Sequence, residues 1–120
     1  MKKNRISKNW INKQRRDIYV RKSQVEGYRA RSVYKLIEID QKFKILKNGI
    51  SVIDLGAAPG SWSQYVNKIV KSGRLVSVDL KEMEEINNTS QIKGDFTEKE
   101  QQDKIIKLFR SKVDVVLSDM

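Results

Sequence analysis

Four short apolar runs in this chain each lead into an aspartate, and that recurrence is where chemistry first shows. Ile50-Ser51-Val52-Ile53 ends at Asp54, Leu75-Val76-Ser77-Val78 at Asp79, Gln91-Ile92-Lys93 passes through Gly94 to Asp95, and Val113 to Leu117 passes through Ser118 to Asp119. The first run is followed by Leu55-Gly56-Ala57-Ala58-Pro59-Gly60-Ser61-Trp62. A β-branched run that breaks at Gly56 and Gly60 and restarts as a helix is a strand-turn-helix junction whose backbone can press against a ligand. The spacing G-x-x-x-G lacks the glycine that completes the dinucleotide fingerprint, which disfavours a pyrophosphate. Pro59 stiffens the turn where a missing N–H costs nothing, and free N–H groups at residues 60–62 favour a small anion such as an amino-acid carboxylate. Asp79, about 20 residues past the turn, is placed to accept from both hydroxyls of an unphosphorylated ribose. Asp95 can accept from an adenine amino group, and Phe96 can cover the base. A plain tight turn would use the same glycines, and any single aspartate serves loops and caps well. Four acids at four strand ends are harder to explain that way.

Elements of the right kind surround these residues. Ser7 to about Gln24 is polar with a weak helical pattern, and Gly27 separates it from a helix expected over Arg31–Phe43, with Val33, Leu36, Ile37 and Phe43 near helical spacing. Lys35 falls beside that apolar stripe. Further helices are expected over Ser61–Lys71, stopped by Ser72-Gly73, and over Thr97–Arg110, opened by a Thr97-x-x-Glu100 capping box. Alternating strands and helices make an α/β fold, a doubly wound, mostly parallel sheet. In such a sheet the ligand crevice lies outside the carboxyl ends of the strands, which gathers Asp54, Asp79, Asp95 and Asp119 at one edge.

Asp54 through Gln64, Val78-Asp79-Leu80, Gly94-Asp95-Phe96, Leu117-Ser118-Asp119-Met120 and upstream Arg29-Ala-Arg-Ser-Val-Tyr-Lys-Leu36 together resemble the FtsJ/RrmJ family of S-adenosylmethionine-dependent RNA ribose 2′-O-methyltransferases. The resemblance runs from about residue 27 to the last residue and is greatest to the bacterial branch that methylates a uridine ribose of large-subunit ribosomal RNA. Ser61 stands where that branch commonly has glycine. The resemblance implies a Rossmann-like fold with the four visible strands in the order 3-2-1-4. It implies S-adenosylmethionine as cofactor, bound by Gly56, Gly60, Trp62, Asp79, Asp95, Phe96 and Asp119. Lys35 and Asp119 match the first lysine and the aspartate of the family's Lys-Asp-Lys-Glu catalytic set, whose other two members would lie beyond residue 120. The chain is therefore expected to be the amino-terminal part of a longer, monomeric enzyme and inactive alone.

Composition narrows the alternatives. No cysteine and no histidine occur among the 120 residues, so disulfides, thiol or histidine catalysis and the usual zinc sites are excluded, and no metal is expected. The apolar runs are only a few residues long and no signal-peptide core opens the chain, so a cytoplasmic protein without a membrane partner is expected. Charge is concentrated: residues 1–48 hold 15 Lys/Arg against 4 Asp/Glu, whereas residues 49–120 hold 10 against 11. Lys2, Lys3, Arg5, Lys8, Lys13, Arg15, Arg16, Arg21, Lys22, Arg29 and Arg31 are interleaved with Trp10, Tyr19 and Tyr28, a mix suited to neutralising phosphates and stacking bases. Residues 1–30 are read as a basic RNA-binding arm and 31–120 as the beginning of the methyltransferase domain, with ribosomal RNA as partner. The competing readings are a non-catalytic RNA-binding module on a Rossmann-like scaffold and a nicotinamide-dependent oxidoreductase, the latter disfavoured by the glycine spacing.

Overall fold

The computed structural model describes residues 2–120, with side-chain surroundings from Ser7 onward. The side chains of Lys2, Lys3 and Arg5, assigned by sequence to the basic arm, lie outside the described residues. The chain runs α1 (Lys2–Glu26), α2 (Val33–Phe43), β1 (Ser51–Leu55), α3 (Ser61–Ile69), β2 (Arg74–Asp79), β3 (Thr89–Lys93), α4 (Lys99–Lys107) and β4 (Val115–Ser118).

The four strands form one sheet in the order β3-β2-β1-β4, and every neighbouring pair is parallel, as expected. Register places Asp54 opposite Ser77 and Leu117, so the glycine turn, Asp79 and Asp119 leave the sheet along the same edge. Two apolar clusters follow from the alternation of side chains along the strands. Val52 and Leu75 point to one face and pack with Leu36 of α2 and with Trp62 and Val66 of α3. Val76 and Val78 point to the other face and pack with Ile105 of α4, joined by Ile53, Leu55, Ile92 and Phe96. Helices on both faces of a parallel sheet make the three-layer α/β arrangement.

Two elements depart from expectation. The weak helical pattern at the start is a continuous helix of 25 residues. No glycine or proline interrupts Lys2–Glu26, and its many Lys, Arg and Gln residues are good helix formers, so propensity carries what amphipathicity does not. The capping box before α4 does not form. The Thr97 hydroxyl instead donates to Asp95 Oδ1 at 2.6 Å, the helix begins two residues later at Lys99, and its cap residue Glu98 makes no side-chain cap bond. A nearby carboxylate outcompetes a backbone N–H for that hydroxyl because the charge-assisted bond is the stronger. No helix of the described residues is long and apolar enough to cross a membrane.

Candidate functional site

Lys35 and Asp119, 84 residues apart in sequence, meet at the sheet edge: Lys35 Nζ donates to Asp119 Oδ1 at 3.0 Å. The lysine stem is placed by α2, whose adjacent residue Leu36 and preceding residue Val33 are fully buried, while Asp119 follows β4 directly. The lysine side chain is 65% exposed, and an ion pair so open to water contributes about 0–1 kcal/mol. The fold, not the pair's own attraction, therefore sets this geometry.

Asp119 also lines a narrow crevice beside the glycine turn, together with Ser32, Asp54, Gly56, Pro59 and Trp62. Gly56 and Gly60 have φ of 68° and 117°, and a Cβ would lie 2.7 Å from Met120 Cγ at the first and 2.8 Å from Arg29 Nη1 at the second. Both positions need glycine for conformation, and at Gly60 the Arg29 guanidinium, held by three carbonyls, also takes the space of a side chain. The Trp62 indole is buried in the core and donates from Nε1 to the Ser32 carbonyl at 2.9 Å, making it a fixed wall of the crevice. Asp79 lies against the turn as well: Oδ2 accepts from the Ala58 N–H at 2.9 Å and Oδ1 from the Lys81 N–H at 2.7 Å. Each oxygen retains a lone pair.

Asp95 and Phe96 do not line that crevice. They follow β3, at the far side of β2, and are joined to Asp79 through the Gly94 N–H, which donates to the Asp79 carbonyl at 2.9 Å. Asp95 Oδ1 accepts both the hydroxyl and the N–H of Thr97, and these two bonds hold its carboxyl below the ordinary carboxylate range. The Phe96 ring is half-buried against Val76, Val78 and Ile105. A pair of carboxylates at adjacent strand ends, beside a turn of two positive-φ glycines, suits a ligand carrying a nucleoside and a small charged group.

Residues 28–120 match the FtsJ-like methyltransferase family. The chain belongs to that family. Over all 120 residues it is 81% identical to a ribosomal RNA large subunit methyltransferase E of Pelagibacter ubique, and it spans 59% of that relative's length. Proteins of the same name from Rickettsia bellii and Legionella pneumophila are 45% and 46% identical, with 95% and 100% of this chain and 53% and 59% of theirs covered. Among solved structures, a crystal structure described as a ribosomal RNA methyltransferase from Plasmodium falciparum aligns with a TM-score of 0.69 at 32% identity, over 78% of this chain and 56% of that one.

Two sets of contacts around this site were not legible in the sequence: the partners of Asp54 and the bonds of Arg29. Asp54, only 1% exposed, accepts from the Ser63 hydroxyl at 2.7 Å, and the Ser63 and Ser77 hydroxyls lie 2.6 Å apart. Ser63 has one proton and gives it to Asp54, so it accepts from Ser77. Burial pushes the Asp54 carboxyl up to about 6; the Ser63 bond opposes this, and the charges of Asp119 and Asp79 add to it. A serine inside the apolar run Leu75–Val78 was the available signal. Arg29 is the second. Its sequence context suggests a cation for phosphates, but it instead donates from Nη1 to the carbonyls of Pro59 and Glu84 at 3.0 and 2.8 Å and from Nη2 to that of Glu85 at 3.0 Å. Its own N–H goes to Gln64 Oε1 at 2.8 Å, while Gln64 Nε2 donates to the Gly27 carbonyl at 3.1 Å. Carbonyl acceptors in loops leave no mark in a sequence.

Proposed function

We propose that this chain carries the donor-binding part and the first two catalytic groups of an S-adenosylmethionine-dependent methyltransferase that modifies the ribose 2′-oxygen of a uridine in large-subunit ribosomal RNA. The observation that carries the reading is the Lys35–Asp119 pair, set 3.0 Å apart where the crevice of the glycine turn meets a larger cavity bounded by α1 and α2. The relatives named as ribosomal RNA methyltransferases supply the substrate class.

S-adenosylmethionine supplies a methyl group on a positively charged sulfur. The residues of the chain would bind and orient. Asp79 would hold the two ribose hydroxyls with its remaining lone pairs, and Asp95 and Phe96 would hold the adenine. The free N–H groups where α3 starts, behind Gly60, hold the amino-acid carboxylate, and Asp119 receives the ammonium end. The flexible Met120 side chain lies against Gly56. Lys35 would donate to the substrate 2′-oxygen and orient it toward the donor, the positioning that a displacement reaction needs most. Lys35 positions the 2′-oxygen, and the 2′-hydroxyl proton goes to another base. That base is the second lysine of the family's catalytic set, contributed with the glutamate by residues beyond 120.

The test is methyl transfer from a labelled donor to large ribosomal subunits, using the protein extended to the length of its relatives, followed by nucleoside analysis. Label on a ribose 2′-oxygen, lost in Lys35→Ala and Asp119→Ala, is the expected result. Label on a base, or none with RNA still bound, overturns the reading, and the second outcome favours an RNA-binding module.

A further inference from the structure

We propose that the cavity between α1 and α2 receives one unstacked nucleobase of the RNA, the base of the nucleotide being modified, with Tyr19 as the ring on which it stacks. This rests on the ribose-methylating reading above. The cavity measures about 660 Å³, a size typical of small-ligand sites and ample for a nucleotide. Ser32 and Asp119 line both it and the glycine-turn crevice, and Lys35 stands in its wall. In a ribonucleotide the base and the 2′-oxygen sit on neighbouring carbons of the same ring. A 2′-oxygen held at Lys35 therefore puts its base in the space next to Lys35, and this cavity is that space.

The walls suit a flat ring with polar edges. Tyr34 is flanked by the protein: Tyr19 lies 5.4 Å away with its ring tilted by 31°, Tyr28 meets it edge-on at 6.2 Å, and Lys22 Nζ sits 4.8 Å from its centroid. Tyr19 is 42% exposed, so Tyr34 supports one side of a ring that remains open on the other. Glu38 adds an acceptor for a base N–H, and Arg31, with no ion pair among the described residues, adds a cation for the adjoining phosphate. Two aromatic rings and a carboxylate are poor company for a phosphate alone but suit a base. Lys8, Arg15, Tyr19 and Lys22 recur at spacings of seven, four and three along α1, which puts them on one face, so a backbone following those cations arrives at the cavity.

The experiment is ultraviolet crosslinking of the protein to an oligouridylate in which every base is 5-iodouridine, with the crosslinked residue mapped by mass spectrometry and affinity read by fluorescence anisotropy. Crosslinks at Tyr19 are expected. Tyr19→Phe keeps the ring and should keep both affinity and crosslink. Tyr19→Leu keeps apolar contact with Tyr34 but has no ring, and should lose the crosslink and about 10-fold in affinity, with the circular dichroism spectrum unchanged. RNA bound equally well by Tyr19→Leu, or crosslinks confined to residues 8–16, overturns the base site and leaves the methyltransferase reading standing. Failure of the unaltered protein to bind RNA at all removes that reading's substrate and the base site with it.

Discussion

Asp79 is committed to two backbone N–H groups before any ligand arrives, so its substitution tests the crevice and the turn together. Asp79→Ala should lower affinity for S-adenosylmethionine by about 1–3 kcal/mol, as expected for hydroxyls left without their acceptor, and calorimetry reads this directly. Undiminished affinity would remove Asp79 from the site. Asp54 gives a pH signature instead. Its carboxyl is raised from 3.8 to about 6 in the fold, so the protonated form favours folding. That stabilisation is fully present below pH 3.8 and is lost as pH rises through 6, a change of about 3 kcal/mol at most by linkage. Urea denaturation at pH 4 and pH 7 should show a smaller loss of stability for Asp54→Asn than for the unaltered protein. Equal losses would mean that the buried carboxylate titrates normally. The strand-end position of Asp54 was visible in the sequence, but its partners are ordinary residues: α3 brings Ser63 over it, and the pairing of β1 with β2 sets Ser77 beside it.

Among the elements, α1 was the least legible and the sheet the most. Strand order and direction followed from the alternation of runs and from the family resemblance, because parallel strands joined by helices admit few arrangements. The length of α1 did not follow, since it buries little more than Ser23 and so has no strong apolar stripe to read. The failed capping box at Thr97 has the same lesson in smaller form: the pattern was present, and the competitor two residues upstream, Asp95, was not weighed. An exposed, basic α1 leads to a quantitative expectation. Changing Lys13, Arg15, Arg16, Arg21 and Lys22 to Ala should weaken RNA binding and flatten its salt dependence by about 0.7–0.9 for each phosphate no longer neutralised. Calorimetry should find donor affinity unaffected; an unchanged salt slope would give the helix another role. Asp40 ties the next helix down, accepting the Leu46 N–H at 2.9 Å and the Tyr65 hydroxyl at 2.8 Å. Asp40→Ala leaves both donors without a partner and should cost about 2–4 kcal/mol in urea denaturation.

At the scale of the whole molecule, the described residues present β4 as a sheet edge, with Val116 61% exposed. Such an edge invites pairing with another strand, and the chain spans 59% of its Pelagibacter relative. The 120 residues alone should therefore fail to transfer a labelled methyl to ribosomal RNA, whereas the protein extended to its relatives' length should succeed. Comparable activity in both would place the missing base within these residues. The Arg29 clamp then acquires a meaning beyond packing. One side chain joins the short connection after α1 to the glycine turn at Pro59 and to the segment past β2 at Glu84 and Glu85. On the proposed reading, with RNA along α1 and the donor at the glycine turn, this clamp would link the two sites, and a coupling free energy between the ligands is the expected outcome. Such coupling is reciprocal: whatever factor one ligand lends to the affinity of the other is returned in equal measure. Measured as the ratio of donor affinities with and without RNA, that factor should depart from one in the unaltered protein and collapse toward one in Arg29→Ala.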